Sequence, residues 1–141
     1  MSMTIDPMKK LTLCLSLSLL LFVSCEEDPV DPDFDLRDEY VGSWTASEDS
    51  DFFGDQTYAI EVSKSDTSLT DIWVTNFYGL GNNTLTVMEV NDNNVFIPQQ
   101  TVSGSEVSGS GQSGIDFSEV TLTYGVDDGS GVDQCTAVWV R

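Results

Sequence analysis

The chain has 141 residues, with 24 acidic and 5 basic side chains, a net charge of −19 and no histidine. A surface this acidic repels nucleic acid phosphates, so we expect no nucleic acid partner. The lack of histidine excludes Ser-His and Cys-His catalysis and every histidine-ligated metal site. Because nothing in the sequence selects a carboxylate pair for catalysis, we expect a protein that is not an enzyme and has no cofactor.

A candidate export signal comes first in the chain. Lys9-Lys10 precedes the apolar stretch Leu11–Val23, a pattern typical of a secretory signal. The stretch is shorter than the ~20 apolar residues that a membrane-spanning helix needs. Val23-Ser24-Cys25 resembles the lipobox of bacterial lipoproteins, whose cysteine is lipidated and becomes the first residue of the mature protein. The resemblance implies a signal peptide over residues 1–24, with its start at Met8, and attachment to the membrane through lipid on Cys25.

Removal of residues 1–24 would leave one strongly acidic domain. The removed part holds one acid and two bases, so 117 residues remain with 23 acids and three bases, a net charge of −20. This length suffices for one modest hydrophobic core. Cys14 leaves with the signal and Cys25 is blocked by lipid. Cys135 is then left without a disulfide partner, and we expect it to be a small buried residue.

An acidic tether is predicted over residues 25–39. Eight of the fourteen residues from Glu26 to Glu39 are acidic, and Pro29 and Pro32 favour an extended chain. Acidic residues directly after a lipidated cysteine resemble the surface-export signal of lipoproteins in the Bacteroidota. We therefore expect a protein anchored to the outer membrane in the cell envelope. Two arrangements remain open. The domain is exposed at the cell surface, or the acidic segment is a spacer and the domain faces the periplasm.

From Tyr40 to Arg141 the apolar residues alternate with a period of two, which predicts strands. Strands are predicted over residues 40–48, 56–64, 70–77, 84–90, 94–102, 105–110, 117–126 and 134–141. Gly-, Asn-, Asp- and Ser-rich turns separate them. The pattern predicts an all-β domain over residues 40–141. Hairpin-sized connections favour an eight-stranded antiparallel up-and-down barrel, with a β-sandwich as the alternative.

The first and last strands carry a family resemblance. Gly42-Ser-Trp44 resembles the Gly-x-Trp signature of lipocalins and the wider calycin group, in which a basic residue from the end of the barrel packs across the tryptophan. Arg141 occupies that place. Together with Asn76-Phe-Tyr-Gly79 and Ile97-Pro98, these residues resemble the small calycin-like lipoproteins of the Bacteroidota. The resemblance implies a calycin-like barrel closed by Trp44 and Arg141, and we expect it to be a monomer.

Two uses of the barrel interior remain open. An eight-stranded barrel is wide enough to be filled by side chains or to hold one small ligand. In the first hypothesis, a small apolar or amphipathic ligand binds at an open end lined by Tyr58, Trp73, Phe77 and Tyr78. In the second, the barrel is filled and serves a structural or protein-interaction role. A pocket of ~300 Å³ with converging aromatic rings would favour the ligand.

One acidic hairpin is a weak candidate for cation binding. Asp127, Asp128 and Asp133 surround the Gly-Ser-Gly turn at residues 129–131. Carboxylates on a flexible hairpin can hold calcium loosely, but the spacing matches no dedicated calcium loop. A polar turn is the preferred interpretation, and we expect no resident metal.

Overall fold

The computed structural model describes residues 33–141, and its compact unit runs from Asp35 to Arg141. The predicted signal peptide, Cys25 and most of the predicted tether lie outside the described residues. Within residues 33–141 no helix is long and apolar enough to cross a membrane.

Eight antiparallel strands form one closed sheet. Each strand pairs with its neighbours in chain order, and β1 also pairs with β8, so the sheet has no free edge. This confirms the predicted up-and-down barrel, the topology that the calycin resemblance implied, over the β-sandwich. The strands are β1 (Gly42–Ser50), β2 (Gly54–Lys64), β3 (Asp71–Thr75), β4 (Leu85–Asn91), β5 (Asn94–Val102), β6 (Ser105–Ser113), β7 (Glu119–Asp127) and β8 (Val132–Val140). Two 3-10 helices flank them, η1 (Leu36–Glu39) and η2 (Phe77–Gly79).

Side chains fill the barrel. Alternate residues of every strand point inward, as a pleated strand requires, and they form one continuous hydrophobic core. Phe77 is central to it, with its ring centroid 4.6 Å from that of Tyr124 and 6.4 Å from that of Trp139. The largest fully buried side chains are Trp44, Trp139, Tyr40, Tyr124, Phe77, Ile72, Met88 and Leu122.

Strand β6 approaches β7 unusually closely because two of its inward positions are glycines. A Cβ added at Gly109 would lie 2.4 Å from the Cβ of Tyr124, and one at Gly111 would lie 2.1 Å from the carbonyl oxygen of Thr121. Both distances are well below van der Waals contact. The glycines leave room for the large inward side chains of β7, so the small residues of β6 are a packing requirement of this barrel.

A bulge in β5 is compensated by a side chain. The register between β5 and β6 shifts between Ile97 and Gln100, on either side of Pro98, which has no N–H for a ladder. The amide of Gln100 then bonds to the backbone of Val87 in β4, accepting from its N–H at 2.9 Å and donating to its carbonyl at 2.7 Å. The side chain thus replaces the missing rungs between β4 and β5, and the barrel stays closed.

The folded domain begins earlier than the sequence indicated. The predicted tether extended to Glu39, but η1 packs on the barrel and Arg37 within it is buried. The Arg37 guanidinium binds both carboxylate oxygens of Asp35, at 2.9 and 2.7 Å, and donates to the Ser65 carbonyl at 3.0 Å. A charge-assisted network of this kind orders the chain from Asp35 onward, which moves the domain boundary from Tyr40 to Asp35.

Candidate functional site

The two ends of the barrel have different chemistry. In an up-and-down barrel, alternate connections lie at the same end. The N-terminal end carries the chain entry at Asp35, the C-terminal Arg141 and the connections at residues 65–70, 92–93 and 114–118. The opposite end, here called the mouth, carries the connections at residues 51–53, 76–84, 103–104 and 128–131.

The N-terminal end is closed by stacked side chains. The Arg141 guanidinium carbon lies 4.0 Å from the centroid of the Trp44 ring, and the indole N–H donates to the Tyr40 carbonyl at 2.8 Å. Arg141 also donates to the Glu39 carbonyl, and Phe117 packs edge-on against Tyr40 at 5.4 Å. The structure thus brings together the Trp44–Arg141 pair that the family resemblance implied.

The mouth carries a small aromatic pocket. Phe52 and Phe53 are more than half exposed, at 55% and 67%. Phe53 lies edge-on to Tyr78, with their ring centroids 6.2 Å apart. With Asp128 and Asp133 these rings line a pocket of about 100 Å³. That volume suits the end of one side chain and is far below a site for a drug-sized ligand, which begins at roughly 300 Å³.

Asp133 holds the turn that presents the two phenylalanines. It is buried, and its Oδ2 accepts from the Ser50 hydroxyl at 2.6 Å and from the Tyr78 hydroxyl at 2.5 Å. Its Oδ1 accepts the Phe52 N–H at 3.1 Å, while the Phe53 N–H donates to Ser50 Oγ at 2.9 Å. Burial raises the pKa of Asp133, but these hydrogen bonds outweigh it and leave the pKa below its ordinary value.

Tyr78 reaches Asp133 from an unusual backbone conformation. Its φ is +57°, in the left-handed region that few residues other than glycine adopt. Asn76, at φ +58°, fixes the segment by donating to the Ala59 carbonyl and accepting from the Gly81 N–H, both at 2.7 Å. The segment is thus held in a costly conformation that aims the Tyr78 hydroxyl at Asp133.

A second buried carboxyl lies inside the barrel. Oε2 of Glu48 accepts hydrogen bonds from the hydroxyls of Tyr58 and Tyr124, whereas its Oε1 is buried without a hydrogen-bond partner. Burial, followed by the nearby Glu48 carboxyl, raises the pKa of Tyr58 well above its ordinary value. Burial also raises the pKa of Cys135, to about 12. These polar groups occupy the part of the barrel interior in which a ligand-binding barrel would hold its ligand.

The predicted ligand-lining residues do not form one surface. Tyr58 and Phe77 point into the filled interior, and Tyr78 lies at the mouth. Trp73 lies on the outside of β3, because Ile72 and Val74 are the inward residues of that strand. The prediction that Trp73 lines a ligand site inside the barrel is therefore wrong. Two larger concavities, of about 440 and 530 Å³, are open hollows lined largely by outward-facing side chains of the barrel wall.

The three aspartates of the predicted cation site do not converge. Asp133 points inward to Ser50, whereas Asp127 and Asp128 accept N–H groups of their own turn, from Gly129 at 2.8 Å and Ser130 at 2.9 Å. No group of three or more acidic or cysteine side chains suited to a metal ion occurs within residues 33–141. Asp127 and Asp128 thus accept hydrogen bonds within their own turn, whereas Asp133 belongs to the hydrogen-bonded group around Ser50.

Sequence reasoning missed Glu48 and the two mouth phenylalanines, and it considered Asp133 only as part of a weak cation site. The alternation that turns Trp44 inward also turns Glu48 inward, and the phase of Trp139 does the same for Asp133. That signal was present in the sequence. The hydroxyl partners of these carboxyls were not visible, because Tyr58, Tyr78 and Tyr124 lie on other elements and reach them only through the closed barrel.

Charge is distributed unevenly between the ends. The basic residues of the described part are Arg37, Lys64 and Arg141, all at the N-terminal end. Lys64 pairs there with Asp38 at 2.6 Å and Asp35 at 3.3 Å. The mouth and the strand ends beside it carry Asp49, Asp51, Asp55, Asp127, Asp128 and Asp133. Within residues 33–141, negative charge at the mouth is therefore not offset by any basic side chain.

The sequence was compared with protein-family models and with curated proteins. No family model matches the chain, and no curated protein matches it.

Proposed function

We propose that this chain is a lipid-anchored protein of the bacterial cell envelope whose filled barrel acts by contacting a partner at the mouth. The observation that carries the proposal is the filled interior. The pocket that opens at the mouth has only about 100 Å³, and the buried Glu48 and Tyr124, together with the partly buried Tyr58, occupy the space beneath it. In a barrel of this kind, the side chains that can contact another molecule lie on the surface. It is a binding module without catalysis.

The entry of the chain supports an anchored arrangement. Asp35 lies at the N-terminal end of the barrel, and Cys25 precedes it by ten residues. An acidic, proline-containing segment of that length reaches roughly 30 Å when extended at ~3 Å per residue. An anchor on Cys25 would thus be attached at the end opposite the mouth and would leave the aromatic pocket accessible. This arrangement suits both the outer surface of the cell and the periplasm.

Fractionation of cells that express Cys25→Ala tests the anchor. Stable attachment requires more than one acyl chain, and in a lipoprotein the lipidated cysteine carries these chains. Loss of that cysteine should therefore abolish membrane attachment and leave uncleaved precursor. Cys135→Ala is the matched control, since that thiol is buried in the barrel, and it should remain membrane-bound and processed. Processed Cys25→Ala protein that still sediments with membranes would contradict the anchor.

A small amphipathic ligand at the mouth is the second candidate function. It is favoured by Phe52, Phe53 and Tyr78, whose rings line the aromatic pocket at the mouth. Titration calorimetry with octanoate separates the two functions. Stoichiometric heat that disappears in Phe53→Ala would favour the ligand. The partner-contact function predicts no saturable heat, because the pocket is too small for the alkyl chain of octanoate and lies beside carboxylates that repel its negative charge.

A further inference from the structure

The mouth combines three features that together define a class of partner. Two exposed phenylalanines and Tyr78 form a pocket the size of a side-chain end, about 100 Å³. Carboxylates border it, with Asp128 and Asp133 in its wall. The part of the chain that the structure describes places no basic residue at this end.

The phenylalanines are held in place before any partner arrives. The N–H groups of Phe52 and Phe53 are bound to Ser50 Oγ and the Asp133 carboxylate, at distances of 2.9 to 3.2 Å. The exposed rings therefore project from a fixed turn, and binding requires little ordering of the chain. Exposed aromatic side chains on a preorganised turn are typical anchors of a protein interface.

A planar cation fits this surface best. A guanidinium stacks on aromatic faces and forms paired hydrogen bonds with carboxylates, which a compact ammonium ion cannot do in the same way. The same chemistry operates at the N-terminal end of this barrel, where the Arg141 guanidinium lies on Trp44. On the basis of the proposed function, we propose that the mouth docks a basic segment of a partner polypeptide, with an arginine side chain against Phe53 and Asp128.

A second copy of this chain does not supply that arginine. Within residues 33–141 the basic side chains are already engaged: Arg37 with Asp35, Lys64 with Asp35 and Asp38, and Arg141 with Trp44. Two copies would also bring acidic surfaces together. The partner is therefore a different polypeptide, and one with exposed basic residues.

The test uses the full chain in detergent and an acetylated, amidated (Gly-Arg)₄ peptide that carries a neutral fluorophore. Anisotropy is measured at about 0.15 M salt, where charges further apart than about 8 Å are screened. Phe53→Ala should weaken binding about three- to fivefold, the size of an exposed cation–π contact. The same change at Phe96, an exposed ring on the barrel wall, should leave binding unchanged.

The charge requirement has an equally close control. Asp128 and Asp116 are both exposed hairpin aspartates that accept the N–H and hydroxyl of a serine two residues later, at Ser130 and Ser118. Asp128 lies at the mouth and Asp116 at the N-terminal end. Asp128→Asn should weaken (Gly-Arg)₄ binding several-fold, and Asp116→Asn, which removes the same charge, should not.

Several results would overturn the proposal. The first is that (Gly-Arg)₄ does not bind at all. The second and third are that Asp128→Asn and Asp116→Asn lose the same affinity for the peptide, or that Phe53→Ala binds it as tightly as the unchanged chain. The fourth is that a (Gly-citrulline)₄ peptide binds as tightly as (Gly-Arg)₄. Self-association of the full chain that Phe53→Ala abolishes would also overturn it, since the occupant would then be a second copy. Each of these leaves the membrane attachment measured with Cys25→Ala unaffected, so failure of the docking site is distinguishable from failure of the anchor.

Discussion

At the scale of single residues, this barrel depends on buried carboxyls and the hydroxyls that bind them. Glu48 and Asp133 accept hydrogen bonds from Tyr58, Tyr124 and Tyr78 in the interior and at the mouth. A buried polar group that loses its partner costs about 1–3 kcal/mol, so these tyrosines are constrained to stay protonated and in place. Strand alternation could predict which side chains point inward, but not which hydroxyl donates a hydrogen bond to which carboxyl group.

The tyrosines predict a steep loss of stability in alkali. The pKa of each of the four tyrosines, Tyr40, Tyr58, Tyr78 and Tyr124, is raised above its ordinary value of 10.0, chiefly by burial. The unfolded chain therefore loses these protons first. Their contribution to stability is complete below pH 10 and is lost as the pH rises above it, by about 1.4 kcal/mol per pH unit for each tyrosine that ionises only on unfolding.

Absorbance of tyrosinate and circular dichroism of the sheet measure this directly. We expect the two signals to change together in an alkaline titration, well above pH 10, because the tyrosines ionise only when the barrel opens. Tyr124→Phe removes one of the four groups and should make the fall in unfolding free energy with pH shallower. Ionisation of all four tyrosines near pH 10 with the sheet intact would contradict the buried network.

At the scale of elements, strand positions follow from the sequence and strand faces follow only in part. The predicted strands overlap all eight observed ones, because clear alternation and turn residues mark them. In β3, Ile72, Trp73 and Val74 are all apolar, so the phase was ambiguous and Trp73 was assigned to the wrong side. β6 extends to Ser113, beyond the predicted residue 110, because Gly109 and Gly111 hide its alternation.

The glycines of β6 give the element-scale prediction. Gly109→Ala places a Cβ against Tyr124 and the Thr123 carbonyl, at 2.4 and 2.5 Å, so β6 and β7 must separate. Overpacking of this kind costs about 1–3 kcal/mol or more. Urea unfolding should show this loss. Ser108→Ala, an outward change on the same strand, should shift the unfolding free energy by less than about 0.5 kcal/mol. Equal stability of the two variants would contradict the close approach of β6 and β7.

At the scale of the whole molecule, acidic charge and a filled barrel fit together. The chain carries a net charge of −19, and its core is apolar except for a few buried polar groups. The charge was evident from composition. The filled interior was not, because alternation gives the faces of the strands but not how much of an eight-stranded barrel the inward side chains occupy. The clustering of the bases at one end likewise emerged only from the topology.

The net charge predicts that salt stabilises the fold. Folding concentrates like charges that the unfolded chain can spread apart, and salt screens this repulsion over a Debye length that falls from about 10 Å at 0.1 M to 3 Å at 1 M. The melting temperature should therefore rise with sodium chloride, most steeply below physiological ionic strength. Calcium and magnesium chloride at equal ionic strength should act equally, because Asp127, Asp128 and Asp133 do not converge. A melting temperature that falls with added sodium chloride would contradict the charge argument.

The reactivity of the Cys135 thiol tests the filled interior most directly. Cys135 is 1% exposed and lies on the inward face of β8 beneath the mouth, two residues from Asp133. In a chain with Cys14→Ala and Cys25→Ala, it is the only thiol. We predict that methyl methanethiosulfonate labels it only as fast as the barrel unfolds, so that the rate rises with urea, whereas Thr136→Cys, one residue away on the outer face, is labelled at once. Rapid, stoichiometric labelling of Cys135 in the folded barrel would show an interior open to small molecules and would contradict the account.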